Sequence, residues 1–290
     1  MTDAAVAVVG TGRVGLMLAR ALGLSGREVR LLARSPRAVP TGFPQVETDW
    51  HSGLAASRLV IIAVPDDVIG SVAARLATSA ILGPGYVVMH TSGLHGEAAL
   101  SPLRDSGAAL GSLHPLQAIA EGQLDPAILR GTPAIVEGDL RAVTVARELA
   151  ESFGMSPVLE LTAAGKVSYH AGAVIASNYL VVLVELAERL ARAGGAGEGA
   201  DQLFQPIMRR TLANIAAQGS VAALTGPIRR GDVGTVAAHL AVLQGNEREI
   251  YIALGREALD IARTAGLGDA AAAEIAALLT GRSPSRHPAP

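Results

Sequence analysis

The chain begins with an unbroken apolar run, Ala4-Ala5-Val6-Ala7-Val8-Val9, which gives way to Gly10-Thr11-Gly12-Arg13-Val14-Gly15 and then to apolar positions at helical spacing, Leu16, Leu18, Ala19 and Leu22. A continuous apolar run suits a strand buried on both faces, and the 3.6-residue period that follows suits an amphipathic helix, so the pattern predicts strand, glycine turn and helix. The same reading predicts further strands at Glu28–Ala33, Arg58–Val64, Gly85–His90, Ala108–Leu113, Pro133–Val136 and Pro157–Leu161, with a helix from Leu140 to Phe153. Pro65 ends the run Arg58–Val64, and Asp66 or Asp67 is expected to cap the helix through Val68, Val72 and Leu76. From Thr162 onward the spacing is almost wholly helical, broken at Gly194-Gly195, Thr225-Gly226-Pro227 and Gly266-Leu267-Gly268.

Strands alternating with helices predict a doubly wound, mostly parallel α/β sheet over residues 1–161, and the helical remainder predicts an all-α domain over 162–281. The tail 282–290, rich in proline and polar residues, is expected to be disordered. The glycine motif gives the first domain a task. In the G-x-G-x-x-G setting between strand and helix, the first glycine permits the tight turn, the second lets backbone approach a pyrophosphate, and the third lets helix pack on strand. The helix N-terminus then faces the anion. A Rossmann domain binding a dinucleotide through Gly10, Thr11, Gly12, Arg13, Val14 and Gly15 is therefore expected.

The end of the second strand bears on which dinucleotide. An NAD site carries a carboxylate there for the ribose hydroxyls, whereas this chain has Arg34-Ser35-Pro36-Arg37. Arg34 offers planar charge-assisted hydrogen bonds to a 2′-phosphate, Ser35 a hydroxyl, and Arg37 further positive field, so NADPH is the expected cofactor. The bland alternative is that both arginines are solvated loop charges. Val64, Pro65, His90 and Thr91, at the carboxyl ends of later strands, are expected to complete the cofactor site.

The 24 basic and 26 acidic residues nearly cancel, which gives no electrostatic case for nucleic acid or an anionic membrane as partner and leaves a small-molecule substrate. Cysteine is absent, so disulfides, thiolate nucleophiles and cysteine-held metals are excluded, in keeping with a reducing, cytoplasmic setting. Met1-Thr2-Asp3 leads straight into the first strand, and no removable leader is expected. The apolar stretch Ala171–Ala187 carries Ser177, Asn178 and Glu185 and falls short of a comfortable bilayer crossing. It is read as interface, with a homodimer formed through a helix over 166–193.

Lys166 is the leading catalytic candidate. It opens the first helix of the second domain, and His170, four residues on, shares its face. Hydride delivery to C=O or C=N builds charge on the heteroatom, which an ammonium or imidazolium can stabilise and protonate. The alternative is a solvated lysine beside a hydrogen-bonded histidine. Ser177 and Asn178 lie further along the same helix and could orient a polar group of the substrate. The loop His90-Thr91-Ser92-Gly93 brings Ser92 to the sheet edge, as the following strand brings His114; His90 is equally readable as a strand-end residue whose ring nitrogens are satisfied by backbone. The histidines at 90, 95, 114 and 170 match no zinc spacing, and no metal is expected. Thr225, Arg230 and Asp232 belong to a third cluster, able to hold a carboxylate or phosphate through Arg229 or Arg230, with Asp232 capping the next helix; capping residues and solvent-facing arginines are the plain alternative. No G-x-S-x-G elbow supports a serine hydrolase.

These parts in this order resemble the β-hydroxyacid dehydrogenase and 6-phosphogluconate dehydrogenase-like superfamily. The chain is more closely similar to a bacterial family of Rossmann-like proteins whose C-terminal domain is named only as a domain of unknown function. The likeness rests on His90-Thr91-Ser92-Gly93, His114-Pro115-Leu116, Tyr169-His170 through Ser177-Asn178, and Leu224-Thr225-Gly226-Pro227-Ile228-x-Arg230-Gly231-Asp232, and it spans nearly all of residues 4–280. Some of that family's members are thought to act as ketopantoate reductases, and the superfamily includes pyrroline-carboxylate and imine reductases. The resemblance implies NADPH-linked reduction of a small 2-oxo acid with Lys166 as proton donor. An imine reductase on the same fold and a non-catalytic NADPH-binding or sensing protein stay open beside it. One departure stands out: His170 occupies the place where the superfamily usually has asparagine.

Overall fold

The computed structural model describes residues 4–281. The predicted disorder of 282–290 lies outside the described residues. By internal contacts the chain divides into two compact units, Met1–Tyr179 and Leu180–Pro290.

The first unit is built on an eight-stranded sheet of order β3-β2-β1-β4-β5-β6-β7-β8. The strands are β1 Ala5–Val9, β2 Val29–Leu32, β3 Val46–Glu47, β4 Ser57–Ile62, β5 Val87–His90, β6 Ala109–Pro115, β7 Ala134–Gly138 and β8 Val158–Glu160. All neighbours are parallel except β6 and β7. Strands buried on both faces need apolar side chains throughout, and every residue of β1 is buried. One face is covered by α1 (Arg13–Leu24) and later by α4 (Leu140–Ser152), whose Met17, Leu18, Ala146 and Leu149 join Val6, Val8, Ile61 and Met89 in one core. The other face carries α2 (Trp50–Ala55), α3 (Ile69–Ala77) and a 3-10 helix over Glu97–Ser106. There Trp50, Leu54, Ile69, Leu76, Leu100 and Leu103 pack on Ala7, Val60, Ile62 and Val88.

The structure departs from the expectations at several points. The edge strand β3 was not foreseen, because two residues leave no periodicity to read. Neither Asp66 nor Asp67 caps α3; both sit inside a 3-10 turn over Asp66–Val68 that follows Pro65, with no side-chain capping bond. The first compact unit also runs past residue 161, to Tyr179. It includes α5 (Ala163–Ala176), capped at its start by the Thr162 hydroxyl, which accepts from Gly165 N–H at 3.1 Å. The physical reason is that Lys166 on α5 hydrogen-bonds to the sheet unit.

The second unit holds most of α6 (Asn178–Ala193), followed by α7 (Ala200–Leu203), α8 (Gln205–Ala223), α9 (Pro227–Arg230), α10 (Val233–Val242), α11 (Gly245–Thr264) and α12 (Asp269–Leu279). Its core is formed by Ile228, Val236, Leu240, Leu259, Ile275 and Leu279. Asp232 occupies the N-cap position of α10 without a side-chain capping bond, because its carboxylate is taken by Arg230 at 2.7 Å. The helical stretch Ala163–Ala193 is long and apolar enough, by length and composition alone, to cross a membrane. Val181 and Val182 on it are 69% and 51% exposed.

Candidate functional site

The six parallel strands β1 to β6 send their carboxyl ends to one edge, and in the order β3-β2-β1-β4-β5-β6 the direction in which strands are added to the sheet switches between β1 and β4. That crevice is where open α/β sheets take ligands. Gly10 adopts φ of 119°, and a Cβ there would lie 2.2 Å from the Ala63 carbonyl oxygen; a Cβ on Gly15 would lie 2.2 Å from Gly10 O. The turn is thus closed to any larger residue at both positions. The N-cap of α1 is Gly12, with no side-chain capping bond, which leaves the first N–H groups of the helix for an anion. Arg13 instead bonds the Ile119 carbonyl at 2.8 Å. Arg34, Ser35 and Arg37 follow β2 and are exposed, and none forms an ion pair among the described residues. Val64 and Pro65 follow β4 on the same edge.

At the ends of β5, β6 and β7, strand register builds a polar cluster. His90 is the register partner of Ser112, and Ser112 of Glu137. Register partners share a sheet face, so three polar side chains stand in a row under the loop that leaves β5. Both ring nitrogens of His90 are used by backbone: Nδ1 accepts from Ser92 N–H at 3.2 Å, which leaves Nε2 to donate to Gly96 O at 3.0 Å. Its ring is fully buried, and burial lowers its pKa to about 4. Among the expected cofactor contacts His90 is therefore a loop anchor, with no ring nitrogen to offer.

Lys166 reaches into this cluster from α5. Its ammonium donates to Ser92 O at 2.9 Å and to Ser112 Oγ at 2.7 Å, and the side chain is 0% exposed. The alternative of a solvated lysine is not what the structure shows: the amine is enclosed, with two of its three hydrogens held by the Ser92 loop and β6. Burial lowers its pKa to about 8, opposed by the negative charges of Glu137 and Asp66. Glu137 is pushed up by burial and held down by Lys166.

His170 lies one turn further along α5. A Cβ on Gly93 would come within 2.8 Å of His170 Nδ1 and 2.9 Å of His114 Nε2, so glycine lets the loop pass close to two imidazoles. Their centroids are 6.2 Å apart, edge to face. His114 Nδ1 shares a hydrogen bond with the Tyr169 hydroxyl at 3.1 Å, whereas His170 Nδ1 is buried without a partner among the described residues. Burial, with Lys166 next, lowers the His114 pKa to about 4, and burial raises that of Tyr169 to about 12, so both groups are neutral near pH 7.

Lys166, His170, Ser92 and His114 are thus brought together. Ser177 and Asn178 are not: the Ser177 hydroxyl donates to Ala173 O and bonds Asn178 Oδ1 at the break between α5 and α6. Thr225 and Arg230 line an open cavity of about 670 Å³ in the helical unit. Thr225 also lines an apolar one of about 360 Å³ with Leu190, Ile228, His239, Tyr251 and Leu254. Sequence reasoning missed Ser112, Glu137 and Tyr169. The available signal for the buried carboxylate was a lone Glu inside the apolar run of β7.

Residues 2–115 match the Rossmann-like domain family, and residues 132–258 match the domain of unknown function DUF2520. Among solved structures the chain is similar to protein TM1727 from Thermotoga maritima, at 23% identity and TM-score 0.68 over 89% of this chain and 98% of that one. It is also similar to the Plasmodium falciparum pyrroline carboxylate reductase with NADP bound (12% identity, TM-score 0.59, 96% and 99% covered). A reductive aminase from Aspergillus terreus, in complex with NADPH and ethyl-5-oxohexanoate, aligns with TM-score 0.56 at 17% identity over 97% and 93%. These likenesses show the fold. In sequence, 152 residues are 28% identical to glycerol-3-phosphate dehydrogenase [NAD(P)+] of Pectobacterium carotovorum, covering 47% of this chain and 44% of that enzyme. The match spans less than half the length of that relative.

Proposed function

We propose that this chain is an NADPH-dependent reductase of a small 2-oxo acid, of the ketopantoate reductase type. The observation that carries the reading is the meeting of Lys166, His170 and His114 around Ser92-Gly93, at the ligand-binding edge of a sheet whose glycine turn has no room for a Cβ. The turn Gly10–Gly15 would hold the pyrophosphate and Arg34, Ser35 and Arg37 the 2′-phosphate. NADPH, when bound, supplies the hydride.

The chain's own groups handle the proton. Lys166 supplies positive charge behind the Ser92 carbonyl and, with its pKa near 8, a proton that it can give up at neutral pH. His170 Nδ1, without a partner among the described residues, offers a hydrogen-bonding position to a substrate oxygen and shares the acid role. His114, kept neutral and oriented by Tyr169, contributes a ring nitrogen beside it. Ser92 fixes the loop, its hydroxyl accepting from Leu94 and His95 N–H. A second copy is proposed to cover the exposed apolar residues of α5 and α6, giving a homodimer, and the cysteine-free chain suits the cytoplasm.

The test is oxidation of NADPH, followed by absorbance, with ketopantoate and a cyclic imine side by side. Turnover of ketopantoate that falls about 100-fold or more in Lys166→Ala supports the reading. Turnover of the imine alone moves the assignment to an imine reductase, and silence on both with tight NADPH binding favours a binding or sensing role. Light scattering that gives a monomer would remove the dimer.

A further inference from the structure

Of the 24 lysine and arginine residues in this chain, a single one is lysine, and it is Lys166. All the others are arginine, whose guanidinium does not lose its proton in proteins, while the fully buried cation among the described residues is an amine, which can. A buried ammonium needs a counter-charge in the fold, since an isolated one is expelled or neutralised.

The counter-charge lies one hydroxyl away. Lys166 Nζ donates to Ser112 Oγ at 2.7 Å, and Ser112 Oγ donates to Glu137 Oε2 at 3.3 Å. That carboxylate is itself fixed, accepting from Glu97 N–H at 2.8 Å, and the residue is 7% exposed. Gly96 leaves room for it: a Cβ there would stand 2.8 Å from Glu137 Oε1. The antiparallel pairing of β6 and β7 sets Ser112 opposite Glu137.

We propose that Glu137, acting through the Ser112 hydroxyl, is the positioning residue that aims Lys166 and keeps its ammonium charged inside the fold. It touches neither substrate nor cofactor. The inference deepens the reductase reading above and, as a catalytic statement, rests on it. The other charged or titratable groups that act on Lys166 are Asp66 from the turn after β4, which favours the charge, and His90 on β5 and His114 on β6, both neutral near pH 7.

The lone lysine makes the test direct. Protein grown with lysine carrying carbon-13 at the ε position gives one side-chain signal, and its pH titration reads Lys166 without any turnover. The wild-type midpoint is expected near 8. Glu137→Gln should lower it by about one unit or more, a roughly tenfold weaker hold on the proton, as loss of an opposite charge at this range does. Asp66→Asn should lower it less. A midpoint in Glu137→Gln within about 0.3 unit of wild type, or moved no further than in Asp66→Asn, would overturn the proposal; a merely structural Glu137 would lower the unfolding midpoint and leave the titration in place. If Glu137→Gln does not fold, Ser112→Ala decides, an unmoved titration overturning the proposal and a lowered one supporting it. A lowered midpoint in a protein that turns over neither ketopantoate nor imine would sink the reductase reading and leave the role of Glu137 standing.

Discussion

Acidification should destabilise the first unit through two particular histidines. His90 and His114 have pKa values lowered from 6.5 to about 4, chiefly by burial. Between those values the unfolded chain binds protons that the folded one refuses, so stability falls as pH drops through 6.5 and the loss is complete near 4. At pH 5 an ordinary histidine is almost wholly protonated and a folded one at about 4 is only about a tenth protonated. From pH 7 to pH 5 that difference costs about 2 kcal/mol per ring, somewhat less for the partly exposed His114. The pair together cost about 3–4 kcal/mol, against a total stability of about 5–15 kcal/mol for a typical protein. The assay is urea unfolding followed by the fluorescence of Trp50, the single tryptophan, which is 7% exposed in the first unit and bonded through Nε1 to Ala33 O. His90→Asn retains an acceptor for Ser92 N–H; it and His114→Asn should each start less stable at pH 7 and lose about 2 kcal/mol less on going to pH 5. Variants that lose as much on acidification as the wild type would refute the reasoning.

Two substitutions test the glycines of the site. Gly10→Ala combines φ of 119° with a contact of 2.2 Å to Ala63 O, and should cost about 3 kcal/mol or more in urea unfolding; a loss under about 1 kcal/mol would show that the turn can relax. Gly93→Ala pushes a methyl against His114 and His170, and should cut turnover about tenfold or more while leaving NADPH affinity within about twofold; unchanged turnover would separate the two imidazoles from the chemistry.

The sheet unit was legible because it obeys a local rule. Val6–Val9, Leu59–Ile62 and Val87–Met89 are buried on both sides of a sheet and have to be apolar throughout. The glycine turn was legible because the close approach of the turn to Ala63 and the packing of α1 on it leave no other residue type at Gly10 and Gly15. What escaped depends on pairing across long separations. The antiparallel β7 reads like any other apolar run, so nothing local says that Glu137 will stand beside Ser112, 25 residues earlier. Lys166 was picked out by its place at a helix start, yet its burial under Ser92 is a contact across 74 residues. His90 shows the limit from the other side: the sequence leaves a cofactor contact and a backbone-satisfied strand end equally open, and the choice is made only when the loop closes on Gly96 and both ring nitrogens are taken by backbone. The division of the chain at Tyr179 has the same origin, since the helical period of α5 is indistinguishable from that of the helices after it.

The central claim is that the carboxyl edge of this sheet holds a phosphorylated dinucleotide, and calorimetric titration with NADPH and NADH tests it most directly. Wild type should bind NADPH at least about tenfold more tightly than NADH. Arg34→Ala should remove about 2 kcal/mol, some thirtyfold, from NADPH binding alone, because charge-assisted bonds to the 2′-phosphate have no counterpart in NADH. Equal affinity for the two dinucleotides, or an Arg34→Ala protein that still prefers NADPH as strongly, would contradict the assignment of NADPH, and heat from neither would contradict the site itself.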